Sequence, residues 1–307
     1  MIERLAARLP LFYGWVLVGV AFVTMALCVN ARTSYSLLYP AIIAEFGWDH
    51  AVTAGAFSFG FMVSAALGPV FGRLMDRKGP VWVMELGVVA ASGGLALATL
   101  ATQPWHVYAT LGMLVGAGTV ATGYTGQALY LPNWFARRRS LAISLAYSGV
   151  GVGAIVLLPL VQWAIGYSGW RSACLGLAVA ILVVLVPLNL LLRRTPAELG
   201  LAPDGDPAAH AAGRRSLVVV DTAWAAVDWT LARAIRTGRF WWLALGYFTA
   251  MFAWYAVQVH QAKYLVAIGF SPSTAAWSLG FVSLAGIAGG VIVSLILLVI
   301  NLTAGTG

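Results

Sequence analysis

The sequence predicts an all-α membrane protein that crosses the bilayer several times, and three observations carry that prediction. The 307 residues are 61% hydrophobic and only 9% charged, against roughly 25% charged in an ordinary soluble domain. The apolar residues come in runs of about 20, the length a helix needs to cross a bilayer. Within a run they are continuous, as in 178–192, so the alternating strands of a transmembrane barrel do not fit. Third, the basic residues gather in the turns on one side of these runs. The same composition excludes a water-soluble enzyme, a nucleic-acid-binding domain and a disordered chain. Cys28 and Cys174 lie in apolar runs and suggest neither a disulfide framework nor a metal site.

Eight runs qualify as spans: 12–38, 52–71, 81–101, 107–131, 140–165, 172–192, 240–262 and 273–302. The first opens on Tyr13-Gly14-Trp15. It is too long for a cleaved leader, and Tyr35, Tyr39 and Pro40 stand where small residues would mark a cleavage site. Glu45-Phe46-Gly47-Trp48 precedes the second, and the turn Gly72-Arg73-Leu74-Met75-Asp76-Arg77-Lys78-Gly79-Pro80 follows it. The third carries Glu85 about one turn from its start. Gly112, Gly116 and Gly118 in the fourth, with Gly149, Gly151 and Gly153 in the fifth, let helix backbones approach closely. Asn133-Trp134-Phe135 and Arg137, Arg138 and Arg139 lie between these two. The sixth runs into Arg193-Arg194-Thr195-Pro196 and a loop rich in Pro, Gly, Asp and Ala through Gly213. Further on, 224–236 has apolar and basic residues at helical spacing, which fits either an amphipathic helix on the membrane surface or a solvated linker helix. The chain therefore divides into a six-span unit (1–192), a loop (193–239) and two more spans (240–307).

Charge placement sets the orientation. Arg4 and Arg8; Arg73, Arg77 and Lys78; Arg137, Arg138 and Arg139; and Arg193, Arg194, Arg214, Arg215, Arg233, Arg236 and Arg239 share one side, fifteen of the 18 basic residues. Arg32, Arg171 and Lys263 fall on the other. The positive-inside rule puts the amino terminus and the long loop in the cytoplasm, in what reads as a bacterial inner (plasma) membrane. Topology and anionic lipid headgroups account for the net charge of +8, so nucleic acid is not needed as a partner.

A repeat is visible. Ala56-Phe57-Ser58-Phe59-Gly60-Phe61 matches Ala276-Trp277-Ser278-Leu279-Gly280-Phe281 at an offset of 220 residues, and Phe46-Gly47-Trp48 resembles Ile268-Gly269-Phe270 at a near-equal one. Spans 7 and 8 thus read as a second copy of spans 1 and 2. A complete second copy would end near about position 412, roughly four helices beyond Gly307. Two six-helix units joined by a long loop is the layout of parallel-repeat secondary transporters.

The turn from Gly72 to Pro80 resembles the signature loop of the major facilitator superfamily, Gly-x-x-x-Asp-Arg-x-Gly. The order of the other motifs (Tyr13-Gly14-Trp15, Glu45-Phe46-Gly47-Trp48, Asn133-Trp134-Phe135, Ser148-Gly149-Val150-Gly151-Val152-Gly153) looks like the monocarboxylate porter and oxalate:formate antiporter branch. The resemblance implies a helical bundle of that superfamily: a six-helix unit complete, and the first two helices of a second. It implies alternating access, with a small organic anion such as a monocarboxylate moved by proton symport or by exchange for a counter-anion. It places Gly72, Arg73, Asp76, Arg77 and Gly79 in a conformational latch, where Asp76 accepts from helix N–H groups or pairs with an arginine.

Arg32 is the leading substrate contact. It lies 18 residues after Gly14, roughly 27 Å along the helix, in the outer part of span 1. Relatives in this branch carry a functional cation there, and a guanidinium grips a carboxylate through two parallel hydrogen bonds. The other reading is an arginine snorkelling to the outer headgroups. Glu85 either carries a proton or pairs with Arg73 or Arg77. His260 and Lys263 either assist anion entry or are solvated. Tyr124, Gln127 and Tyr147 lie in spans that line the cavity in this superfamily. Without a His-Glu-x-x-His, a phosphate-binding Gly-Lys-Ser/Thr or a Cys-x-x-Cys, the expectation is no enzyme, no cofactor and no metal. At the repeat offset, 292–299 contains no Asp, Arg or Gly where the signature should recur, and span 8 lacks the arginine common in this branch. The alternative to a transporter is therefore a truncated, non-transporting membrane protein or a subunit that needs a partner chain.

Overall fold

The computed structural model describes residues 11–205, 222–227 and 229–270, together with Ser278, Val282, Ala285, Gly286, Ala288, Gly289, Ile292 and Ile296. Most of span 8, the repeat segment 292–299 apart from two backbone positions, Arg4, Arg8, Arg214 and Arg215 lie outside these residues, as do the side chains of His260 and Lys263. The chain splits into two units, Met1–Gly213 with Ile287–Gly307, and Arg214–Gly286.

Among the described residues of the first unit every long element is a helix, as a solvent without hydrogen-bonding capacity requires of a chain that crosses it. Helix α1 (Tyr13–Thr33) continues past a bend at Ser34 into α2 (Tyr35–Phe46). The pair makes one apolar crossing of 34 residues, Tyr13–Phe46. The bend keeps Ser34 helical, and its hydroxyl donates to the Ala31 carbonyl. Gly47 ends α2 in the left-handed conformation, which glycine adopts without strain. Asp49 then caps α3 (His50–Lys78), its Oδ1 accepting from the N–H groups of Ala51 and Val52. Gly79 (φ 82°) turns the chain and Pro80 opens α4 (Pro80–Ala98), where its missing N–H costs nothing.

The fourth crossing is segmented. It runs from α5 (Pro104–Val107) through a π-helical stretch, Tyr108–Leu114, to α6 (Val115–Thr122), breaks at the extended residue Gly123, and resumes as α7 (Tyr124–Tyr130). The last element, α8 (Arg139–Asn189), has 51 residues and holds two crossings that meet at Gly169 (φ 83°, ψ 163°). Among the described residues four helices are long and apolar enough to cross a membrane, Tyr13–Phe46, His50–Lys78, Pro80–Ala98 and Arg139–Asn189, and the last is kinked at Gly169.

Glycines set how closely these helices pack. A Cβ on Gly116 would stand 2.7 Å from the Gly60 carbonyl oxygen, one on Gly118 would stand 2.6 Å from that of Gly87, and Cβ atoms on Gly149 and Gly153 would overlap the carbonyls of Phe22 and Ala26. So α6 lies against α3 and α4, and the first half of α8 lies against α1. Asn30 stitches the last pair, its Nδ2 donating to Ala26 and Val150 carbonyls at 2.9 and 3.0 Å. In the second unit, α9 (Thr222–Ala225) and α10 (Leu231–Ala234) are short, and α11 (Gly238–Ala267) is a helix of 30 residues. The expected helix over 224–236 is thus two short pieces.

Candidate anion site and the two helix-end clusters

Arg32 sits near the middle of the crossing, not in its outer part. The expected span ended at 38, whereas the helix continues through the Ser34 bend to Phe46, fourteen residues or about 21 Å beyond Arg32. Its partners fix the same depth. Nη2 donates to the Gly116 carbonyl at 3.1 Å and to Ser64 Oγ, and Ser64 is the central residue of α3, fourteen residues from each end. The guanidinium carbon lies 4.6 Å from the centre of the Phe61 ring. The cationic head is thus held on a carbonyl, a hydroxyl and a ring face.

The site is built by close packing. Gly116 has no side chain, so α6 approaches α3 closely enough for Ser64 Oγ to reach its carbonyl at 2.8 Å. A small apolar cavity, about large enough for one water molecule, adjoins Arg32 and is lined by Ala31, Tyr35, Leu38, Phe57, Leu111 and Val115. Tyr35 stacks on Phe57 at 5.7 Å. The result is a planar, permanently charged guanidinium held against an apolar wall. Ser64, Phe61 and the Gly116 carbonyl were not singled out from sequence. A hydroxyl at the centre of an apolar run was the available signal for Ser64.

Of the other expected contacts, Tyr124 and Tyr147 come together. Their rings meet edge to face at 4.9 Å, and the Tyr147 hydroxyl donates to the Tyr124 carbonyl at 3.1 Å. Tyr124 is half exposed. Gln127 points the other way. It is buried, its Nε2 donates to the Thr122 carbonyl left open by the Gly123 break, and its Oε1 accepts from the Tyr130 hydroxyl at 2.6 Å. Residue spacing alone could not show that break, which turns Gln127 into the core.

The latch residues lie at the end of α3. Arg194 donates to the Asp76 carbonyl at 2.7 Å, and its guanidinium stands 3.7 Å from the Asp76 carboxylate. Asp76 therefore takes the arginine option, with a partner from just beyond α8. Arg73 and Arg77 are exposed. Gly79 supplies the positive φ of the turn. Gly72, by contrast, is an ordinary helical residue of α3, and a Cβ there would meet nothing within 4 Å. Glu85 pairs with neither Arg73 nor Arg77: among the described residues the ion pairs are Arg171–Glu45 and Arg194–Asp76. Its Oε1 is buried without a hydrogen-bond partner.

Motifs far apart in sequence meet at this same end. The Trp134 ring lies 5.7 Å from Tyr13, and Phe135 lies 5.1 Å from Trp15. Trp134 Nε1 donates to the Arg193 carbonyl at 3.1 Å, Tyr13 to the Leu191 carbonyl at 2.9 Å, and Asp204 Oδ2 accepts from the N–H groups of Ala136 and Arg137 at 2.9 and 2.8 Å. At the opposite end Glu45 accepts from Trp170 Nε1 at 2.6 Å and from Arg171. Arg171 also donates to the Thr99 and Ala101 carbonyls just past α4.

The family model of the Major Facilitator Superfamily matches residues 11–301. The chain is 34% identical to monocarboxylate transporter 13 of Bos taurus over 201 residues, 64% of this chain and 46% of that protein. It is 34% identical to monocarboxylate transporter 11 of Mus musculus over 197 residues, 64% of this chain and 42% of that protein. With monocarboxylate transporter 12 of Homo sapiens the identity is 33% over 164 residues, 53% and 31% of the two chains. The chain spans less than half the length of these curated relatives.

Proposed function

We propose that this chain, which belongs to the major facilitator superfamily, takes part in moving a small monocarboxylate across the membrane, with Arg32 as the residue that holds the carboxylate. The apolar helices and the family together make it a multi-pass integral membrane protein. The observation that carries the reading is the seat of Arg32. An arginine at mid-depth is expensive in a membrane and is retained where a pathway needs it. The names of the relatives, monocarboxylate transporters, agree with the charge and size of the ligand that Arg32 would take.

On this reading the six crossings of 1–192 form one wall of the pathway, 193–239 is the connecting loop, and 240–307 begins the second wall. The basic end faces the cytoplasm, following the positive-inside rule. Tyr124 and Tyr147 contribute polar-tipped rings to the pathway wall, and Gln127 holds the Gly123 break from behind. Access alternates as the two walls rock. The Asp76–Arg194 contact and the Gly79 turn stiffen the basic end of the first wall, and the anion moves with a proton or in exchange for a second anion.

The test is uptake of radiolabelled lactate and pyruvate into proteoliposomes, driven either by an inward proton gradient or by internal unlabelled anion. Saturable uptake by the wild-type chain, lost in Arg32→Ala, is the expected result. Uptake that Arg32→Ala leaves unchanged overturns the assignment. Which driving force works separates symport from exchange.

A further inference from the structure

The cavity beside Arg32 has an uneven lining. Of the side chains around it, only the Arg32 guanidinium and the Tyr35 hydroxyl are polar. The Tyr35 hydroxyl is already engaged, donating to the Thr53 carbonyl. The rest of the lining is hydrocarbon, from Leu38, Phe57, Leu111 and Val115 among others. A buried water needs about two to four polar partners, which such walls do not offer. A methyl group is of similar size and matches them.

The walls are held in place. Tyr35, Leu38, Leu111 and Val115 are buried in one hydrophobic core. Tyr35 stacks on Phe57, and Phe57 meets Phe61 edge to face at 5.2 Å. Phe61 is the ring against which the Arg32 guanidinium lies, so an aromatic row joins the cation to the cavity wall. Leu111 is the central residue of the π-helical stretch Tyr108–Leu114, and the Val115 N–H closes that stretch on the Thr110 carbonyl five residues back. Widened turns of this kind inside a helix are frequent at functional sites. Gly112 seats the stretch against α3: a Cβ there would stand 2.9 Å from the Ala56 carbonyl oxygen. Ala56 adjoins Phe57 and Gly112 adjoins Leu111, so a contact between backbones fixes two of the walls. A cavity held in this way selects by size, because widening it requires a packed backbone to move.

We propose that this cavity takes the hydrocarbon end of the carboxylate held at Arg32, and that Leu111 sets how long that end can be. The proposal rests on the reading of Arg32 given above and adds the specificity of the same site. A carboxylate at the guanidinium with one methyl in the cavity describes an acid of about two or three carbons. A longer chain has to displace Leu111 or Val115. A second carboxylate in place of the methyl would leave water for hydrocarbon walls, which is costly for a charge, so dicarboxylates are refused.

Competition against radiolabelled lactate, on the full chain in lipid nanodiscs, tests this. The competitors are acetate, propionate, butyrate, hexanoate and malonate, with empty nanodiscs correcting for partition into lipid. For the wild type, acetate and propionate should compete best, and hexanoate and malonate should be weaker by about tenfold or more. Leu111→Ala takes away an isopropyl group. It should strengthen butyrate and hexanoate relative to propionate by about fourfold for each methylene that gains a place, and leave malonate weak. Val115→Ala opens the same cavity and makes the same comparison if Leu111→Ala does not fold. A wild type that takes hexanoate or malonate as well as propionate overturns the proposal, and so does a chain-length order that the variants leave unchanged. If lactate binding is nonetheless lost in Arg32→Ala, the Arg32 reading stands without the size selection. Absence of lactate binding that depends on Arg32 overturns both.

Discussion

Arg32 donates a hydrogen bond to the backbone carbonyl of Gly116, 3.1 Å away on a different crossing. That bond exists only because position 116 carries no side chain. The seat of the cation and the close approach of α6 to α3 are thus one feature, and a substitution at Gly116 tests both.

Gly116→Ala would place a methyl 2.7 Å from the Gly60 carbonyl, a backbone atom that cannot swing aside. Overpacking of this kind costs about 1–3 kcal/mol. Thermal unfolding in detergent, followed by intrinsic tryptophan fluorescence, should show a lowered midpoint. Gly72→Ala, with nothing within 4 Å, should leave the midpoint where it is or raise it slightly.

The opposite end of the unit is tied by Arg171, which joins Glu45 to the Thr99 and Ala101 carbonyls. Arg171→Ala should destabilise more than Glu45→Gln, because the glutamine keeps an acceptor for Trp170 whereas alanine releases three groups at once. With both side chains more than a third exposed, solvent screening holds the Glu45→Gln effect to about 1 kcal/mol or less. Salt should shrink the difference between wild type and Glu45→Gln. Unfolding midpoints at low and high ionic strength check this, and a Glu45→Gln loss equal to that of Arg171→Ala would contradict it.

Asp76 and Gly79 separate two roles within one turn. The Asp76 carboxylate is 74% exposed and 3.7 Å from Arg194, so Asp76→Asn should change stability by no more than about 0.5 kcal/mol. Gly79→Ala forces a side chain into φ 82°, ψ 174°, a region that glycine alone occupies readily, at a cost of about 1–3 kcal/mol. If Asp76→Asn slows uptake while its unfolding midpoint is unmoved, the carboxylate acts in the conformational cycle. If uptake is also unmoved, the latch role is wrong.

Gln127→Ala leaves the buried Tyr130 hydroxyl without its acceptor and the Thr122 carbonyl without its donor. A loss of about 1–3 kcal/mol in unfolding experiments is expected, with little change in anion affinity. Tyr147→Phe removes one partly exposed hydrogen bond and should cost less stability.

Most of the crossings were legible because the bilayer permits so little else: a run of about 20 apolar residues has to be helical. The bends were not. Ser34 stays helical and carries the first crossing on to Phe46, eight residues past the expected end at 38, and that extension moved Arg32 from the rim to the middle. Gly123 breaks the fourth crossing and turns Gln127 inward, a matter of backbone conformation that apolar composition does not encode. Arg32 itself stood out as a lone cation in an apolar run. Its seat did not, since a backbone carbonyl exposed by a glycine has no side-chain signature. The aromatic motifs near Tyr13 and Trp134 were noticed as separate pieces, and only folding shows them in contact.

The central claim is that Arg32 holds a carboxylate, and equilibrium binding of radiolabelled lactate and pyruvate to the chain in nanodiscs tests it most directly. Wild type and Arg32→Lys should both bind, the lysine variant more weakly because it lacks the planar fork. Arg32→Ala should lose at least tenfold in affinity, about 1.4 kcal/mol. Equal binding by wild type and Arg32→Ala, or no binding by wild type, would contradict the account.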